Sequence, residues 1–139
     1  MTYSFHRNSE DDLIVMTAYL RLPGKSLYYP LSLVLDTGAS HTVIDLNMLL
    51  VAGYDKSLRL NKDVKVQTAS KIIDADKIIV DEIKILDRAI QHFEVTTYDF
   101  LSQDDLLDYD GVLGLDFFKD TILHIDFVKS ELTIIGEFD

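Results

Sequence analysis

Apolar and polar positions alternate along much of the chain with a period of two, the spacing of a half-buried strand. From Leu13 to Leu22, the side chains of Ile14, Met16, Ala18, Leu20 and Leu22 fall on one face and Thr17, Tyr19 and Arg21 on the other, and Pro23-Gly24 ends the run. Leu31 to Leu35 breaks the alternation: every position but Ser32 is apolar, as in a strand buried on both faces. His41 to Ile44 is short and β-branched, Asp45 is suited to N-cap a helix over Leu46 to Ala52, and Gly53 closes it. Val64 and Val66 alternate with charges from Lys62 to Gln67, and Ile79, Val80, Ile83 and Ile85 carry a strand from Lys77 to Leu86. Thr68-Ala69-Ser70-Lys71 lies between them as a hairpin tip. Asp87-Arg88 punctuates before Ile90 to Thr97, where Phe93, Val95 and Thr97 share a side. Gly111 to Phe118 reads as a minimal strand, a glycine and the start of a second helix. Ile122 to Phe127 and Leu132 to Ile135 form a closing hairpin around Lys129-Ser130. Short strands at turn-separated intervals predict a mostly β protein, a barrel or sandwich with two short helices.

Length and composition narrow this without changing it. The 139 residues, with 47% hydrophobic content and no low-complexity run, fit one globular domain over residues 13–139 behind a polar segment, residues 1–12. The absence of cysteine removes disulfides, thiol nucleophiles and thiolate metal sites. A formal charge of -11 argues against nucleic acid as a partner, because phosphate binding needs clustered Lys and Arg; a solvated acidic surface explains the charge. No apolar run has the length of a membrane span and the first residues hold no signal-peptide core, so a soluble cytoplasmic protein with no membrane partner is expected.

The chemistry concentrates at Val34 to Ser40, read Val-Leu-Asp-Thr-Gly-Ala-Ser. Asp36 emerges where an apolar strand would normally exclude an unpaired charge, and Gly38 permits a tight turn after it. Asp-Thr-Gly alone is an ordinary turn sequence. Other groups carry less. Ser102 to Asp110 is acidic but lacks the alternating acids, central Gly and closing Glu of a calcium loop, and Leu106-Leu107 fits a helical turn docking on the core. His6, His92 and His124 have no mutual metal-ligand spacing, so neither a metal nor another cofactor is expected. His41 fits a half-exposed strand residue, Ser40 has no triad partners in order, and Asp116 fits stabilisation of a helix N-terminus.

Two separated motifs together resemble the retropepsin-like aspartic proteases. The first is Leu33-Val-Leu-Asp36-Thr-Gly-Ala-Ser40 with His41-Thr-Val-Ile44; the second is Gly111-Val112-Leu113-Gly114-Leu-Asp-Phe-Phe118. The resemblance spans Leu13 to Ile135 and implies a closed, barrel-like acid-protease fold. It implies that Asp36 is catalytic, that Thr37, Gly38 and Ala39 support its loop, and that Val112, Leu113 and Gly114 form the second glycine motif. It places Thr68, Ala69, Ser70 and Lys71 in a flap over a protein or peptide substrate. The chain has a single Asp-Thr-Gly, and Asp110-Gly111, the nearest substitute, lacks the Thr. The resemblance therefore implies a homodimer in which two Asp36 carboxylates activate a water, with terminal strands such as Leu132 to Ile135 as dimer-sheet elements. Two departures stand out. Lys71 occupies a place where the family carries glycine, and Ala39 lacks a hydroxyl that would favour the ionised aspartate, which predicts activity at weakly acidic or neutral pH. The alternative is a catalytically weak or inactive peptide-binding or regulatory module of the same fold.

Overall fold

The alternating stretches become strands because each can bury one face. The computed structural model describes residues 2–7, 13–55, 59–67, 71–103 and 109–136, with residues 6–7 and 59–64 described by backbone alone. In β3 (Ile14–Arg21) the inward residues Ile14, Met16, Ala18 and Leu20 are buried, as the pattern predicts. It pairs antiparallel with β4 (Tyr28–Leu35), where Leu31 and Leu33 point inward and Val34 is also buried. Next come β5 (Val43–Asp45), helix α1 (Leu46–Val51), β6 (Arg59–Gln67), β7 (Ile72–Ile85) and β8 (Arg88–Tyr98). The Asp45 side chain accepts from Asn47 N–H at the start of α1, and Gly53 follows the helix with φ +104°, a conformation that favours glycine.

A short strand, β9 (Gly111–Leu113), lies between β4 and β5, and the order β3-β4-β9-β5-β8-β7 closes when β7 pairs back onto β3 at Ala18↔Ile85, Tyr19↔Lys84 and Leu20↔Ile83. The result is a closed six-stranded barrel around an apolar core that includes Leu20, Leu33, Ile44, Ile83 and Leu113. The N-terminal half of β7 extends beyond this closure and pairs with β6. A second sheet, ordered β1 (Thr2–Ser4), β11 (Glu131–Ile135) and β10 (Ile122–Asp126), packs Leu132 and Ile134 into the same core.

Several boundaries differ from the patterning. The polar N-terminal segment contains two strands, β1 and β2 (His6–Arg7), which pair with β11 and β3. Strand β7 begins at Ile72 rather than Lys77, because β6 supplies ladder partners to its charged first half. The β7–β8 turn falls at Leu86-Asp87 with Leu86 at φ 58°, a left-handed position taken without glycine. The second helix is a single 3-10 turn, Leu115–Phe118. Thr68, Ala69 and Ser70 of the hairpin tip, and Leu106-Leu107, lie outside the described residues. Among the described residues, no helix is long and apolar enough to cross a membrane.

Candidate active site

Strand β4 ends at Leu35, the chain turns through Asp36 to Thr42, and it returns as β5. Strand β9 is wedged between the two arms, parallel to β4 (Leu35↔Leu113) and antiparallel to β5 (Val43↔Val112). Both sides of the turn are tied to the second glycine motif: Asp36 N–H donates to Leu113 O at 3.0 Å, and Leu115 N–H donates to Ala39 O at 2.8 Å. The glycines are required by this wedge. A Cβ on Gly111 would lie 2.1 Å from Val43 O, and one on Gly114 would lie 2.5 Å from the His41 carbonyl carbon. Backbone cannot yield as a flexible side-chain end does, so both positions exclude larger residues.

Thr42 completes the tie. It is fully buried, its Oγ1 donates to Asp116 Oδ1 at 2.7 Å and accepts from Gly114 N–H at 3.1 Å, and its own N–H donates to the Asp116 carboxylate at 3.0 Å. Asp116 lies in the first turn of its short helix, where an acidic residue is expected, and its carboxylate also reaches across to Thr42 and joins the two motifs. Sequence reasoning passed over Thr42, although a Thr within the β-branched run after Asp-Thr-Gly is a usable signal for a buried polar bridge.

Within the turn, Gly38 N–H donates to Asp36 Oδ1 at 2.9 Å and Ala39 N–H to Asp36 O at 3.1 Å. Asp36, Thr37 and Gly38 are exposed and Ala39 is half-buried. Ser40 Oγ and His41 Nδ1 lie 2.9 Å apart just beyond them. Asp110 sits at the other end of β9. Its carboxylate accepts from Ser32 N–H at 2.8 Å, its N–H donates to Ser32 O at 2.8 Å, and its carbonyl accepts from Asp45 N–H at 2.8 Å. It is committed to holding β9 in the fork and is not beside Asp36.

A cavity of about 320 Å³ opens beside the turn, walled by Gly38 to His41 on one side and by Lys65, Val66 and Gln67 of β6 on another. Val43, Thr96 and Lys77 also line it, three residues the sequence did not single out, because strand pairing alone brings them together. Lys71, at the entry to β7, donates from its ammonium to Gln103 O at 2.8 Å. Among the described residues, no three His, Asp or Glu side chains converge at a spacing suited to a metal ion.

The barrel recurs in solved structures. A retropepsin-like aspartic protease from Rickettsia conorii matches 98% of this chain and 90% of its own, with TM-score 0.66 and 18% identity. The retroviral protease-like domain of Ddi1 from Leishmania major matches 91% and 94%, with TM-score 0.60 and 14% identity. The EIAV protease complexed with the inhibitor HBY-793 matches 83% and 93%, with TM-score 0.56 and 18% identity. No curated protein matches the chain by sequence. The fold is thus the retropepsin-like one. A family model described as aspartyl protease aligns with residues 22–117, the stretch that runs from just after β3 across the first glycine motif and into the second as far as Phe117, and the chain accordingly belongs to the aspartyl protease family.

Proposed function

We propose that this chain is an aspartic endopeptidase that acts as a homodimer, with Asp36 of each copy supplying half of a carboxylate pair. The observation that carries this reading is the position of Asp36: an exposed carboxylate on a turn fixed from both sides, whose following residues Gly38 to His41 wall a cavity, while Asp110 is spent at the far end of β9. Leu115, which is tied to the same turn, leaves 48% of its surface exposed, an apolar neighbour suited to a partner copy.

Two carboxylates brought close by a two-fold axis share one proton and titrate as a pair. The ionised member takes a proton from a bound water as its oxygen attacks the scissile carbonyl carbon. The protonated member donates a hydrogen bond to the carbonyl oxygen as negative charge develops there. The tetrahedral intermediate then breaks its C–N bond, and a carboxyl group returns a proton to the leaving amine. Thr37 faces its mate across the axis, and residues 68–71 act as the flap. The chemistry needs no metal or other cofactor.

Cleavage of a mixed peptide library by wild type and Asp36→Asn, with and without a pepstatin-type inhibitor, tests this. Turnover abolished by the substitution supports the peptidase; equal turnover contradicts it. Lys71, which stands where the family carries glycine and donates its ammonium to Gln103 O, favours the second reading, a peptide-binding module, whose signature is capture without cleavage that survives Asp36→Asn.

A further inference from the structure

We infer that the cavity beside Asp36 selects a substrate side chain bearing a carboxylate, and that Lys77 is the residue that determines this selectivity. The inference rests on the peptidase reading and names its substrate class. The chain carries 24 acidic residues against 13 basic ones, yet among the described residues the ionisable side chains lining this cavity are Lys65, Lys77 and His41, with no Asp or Glu. Each lysine is paired with a carboxylate outside the lining, Lys77 with Glu94 and Lys65 with Asp74, so what the cavity itself presents is ammonium N–H donors rather than acceptors.

Register fixes where the charge lies. Val43 on β5 pairs with Thr96 on β8, and Thr96 pairs with Lys77 on β7, so the three form one row across the cavity wall, starting from the strand that follows the Asp36 turn. Thr96 is buried and polar, whereas Lys77 exposes only 18% of its side chain. Glu94, on the neighbouring strand, holds the Lys77 ammonium at 2.8 Å. An ammonium has three N–H donors, so a bond to Glu94 orients the group without exhausting it. Its low exposure weakens solvent screening, and a substrate carboxylate entering the row meets a positioned cation rather than a mobile surface lysine. Lys65, exposed and paired with Asp74, adds a second ammonium to the lining.

Peptides that scan Glu, Gln, Leu and Lys through each position around a cleavable bond test the inference. Binding to Asp36→Asn and cleavage by wild type are both measured, so selectivity is read even without turnover. At one position Glu is expected to exceed Gln by about tenfold or more, the scale of a charge-assisted hydrogen bond. Raising the salt concentration should leave most of that ratio in place. Lys77→Met should bring the ratio to about one, and Glu94→Gln, which removes the competing carboxylate, should increase it. A ratio near one at every position in both assays overturns the inference while leaving the peptidase reading intact. A Glu preference unchanged by Lys77→Met, in protein whose melting curve matches wild type, overturns the role of Lys77. Glu-selective binding without cleavage by wild type supports the inference and contradicts the peptidase.

Discussion

Thr42 carries more of the candidate site than its size suggests. Its hydroxyl and N–H hold the half-buried Asp116, its hydroxyl receives Gly114 N–H, and Thr42 itself is shut off from water. Thr42→Val keeps the shape and removes the hydroxyl, leaving a buried N–H and a carboxylate oxygen short of partners. Urea denaturation should show a loss of about 1–3 kcal/mol. Glu82 is the other buried residue with a strong signature. The Tyr28 hydroxyl, first, and the Gln91 amide donate to its carboxylate and hold its pKa below the usual glutamate value against the opposing effect of burial. A carboxylate with a depressed folded-state pKa stabilises the native state above its unfolded pKa, and that contribution is lost as pH falls through the folded value. Glu82→Gln should therefore flatten the decline in stability below about pH 4.5, as measured by denaturation across a pH series.

Among the elements, the 3-10 turn Leu115–Phe118 fastens the second glycine motif to the barrel. Phe117 is fully buried, meets Phe93 and Phe118 edge to face, and lies under the Arg88 guanidinium. Phe117→Ala should cost about 3–5 kcal/mol, read as a lowered denaturation midpoint. The elements visible in the sequence are those whose cause is local. The inward set of β3, the Asp45 cap of α1 and the two glycine motifs each declare themselves within a few residues. The elements that were missed depend on distant partners. Thr2–Ser4 is polar and becomes a strand because Glu131–Thr133 presents a ladder to it, and the charged start of β7 is a strand because β6 lies alongside. The same reason hid half of the site: Lys77 and Thr96 are neighbours through register, and nothing in their local sequence marks them. Thr42 and Asp116, distant in the chain, became a pair only in the fold.

At the scale of the molecule, the barrel builds one fixed turn, one adjoining cavity and one exposed Asp36. Strand β11 already pairs on both sides, with β1 and with β10, so within a dimer its contribution comes through a face, and the outer strands of that sheet offer the open edges. On the proposed reading, what the turn lacks in the single chain is a second carboxylate. The proposed activity thus belongs to the pair and not to the chain, and mixing tests that directly. Wild type and Asp36→Asn are combined at constant total concentration, allowed to exchange subunits, and assayed for peptide cleavage. If each dyad needs two Asp36 residues, the rate falls with the square of the wild-type fraction, to about a quarter at equal amounts. A linear fall, to about a half, would contradict the shared dyad and show that one chain carries the chemistry alone.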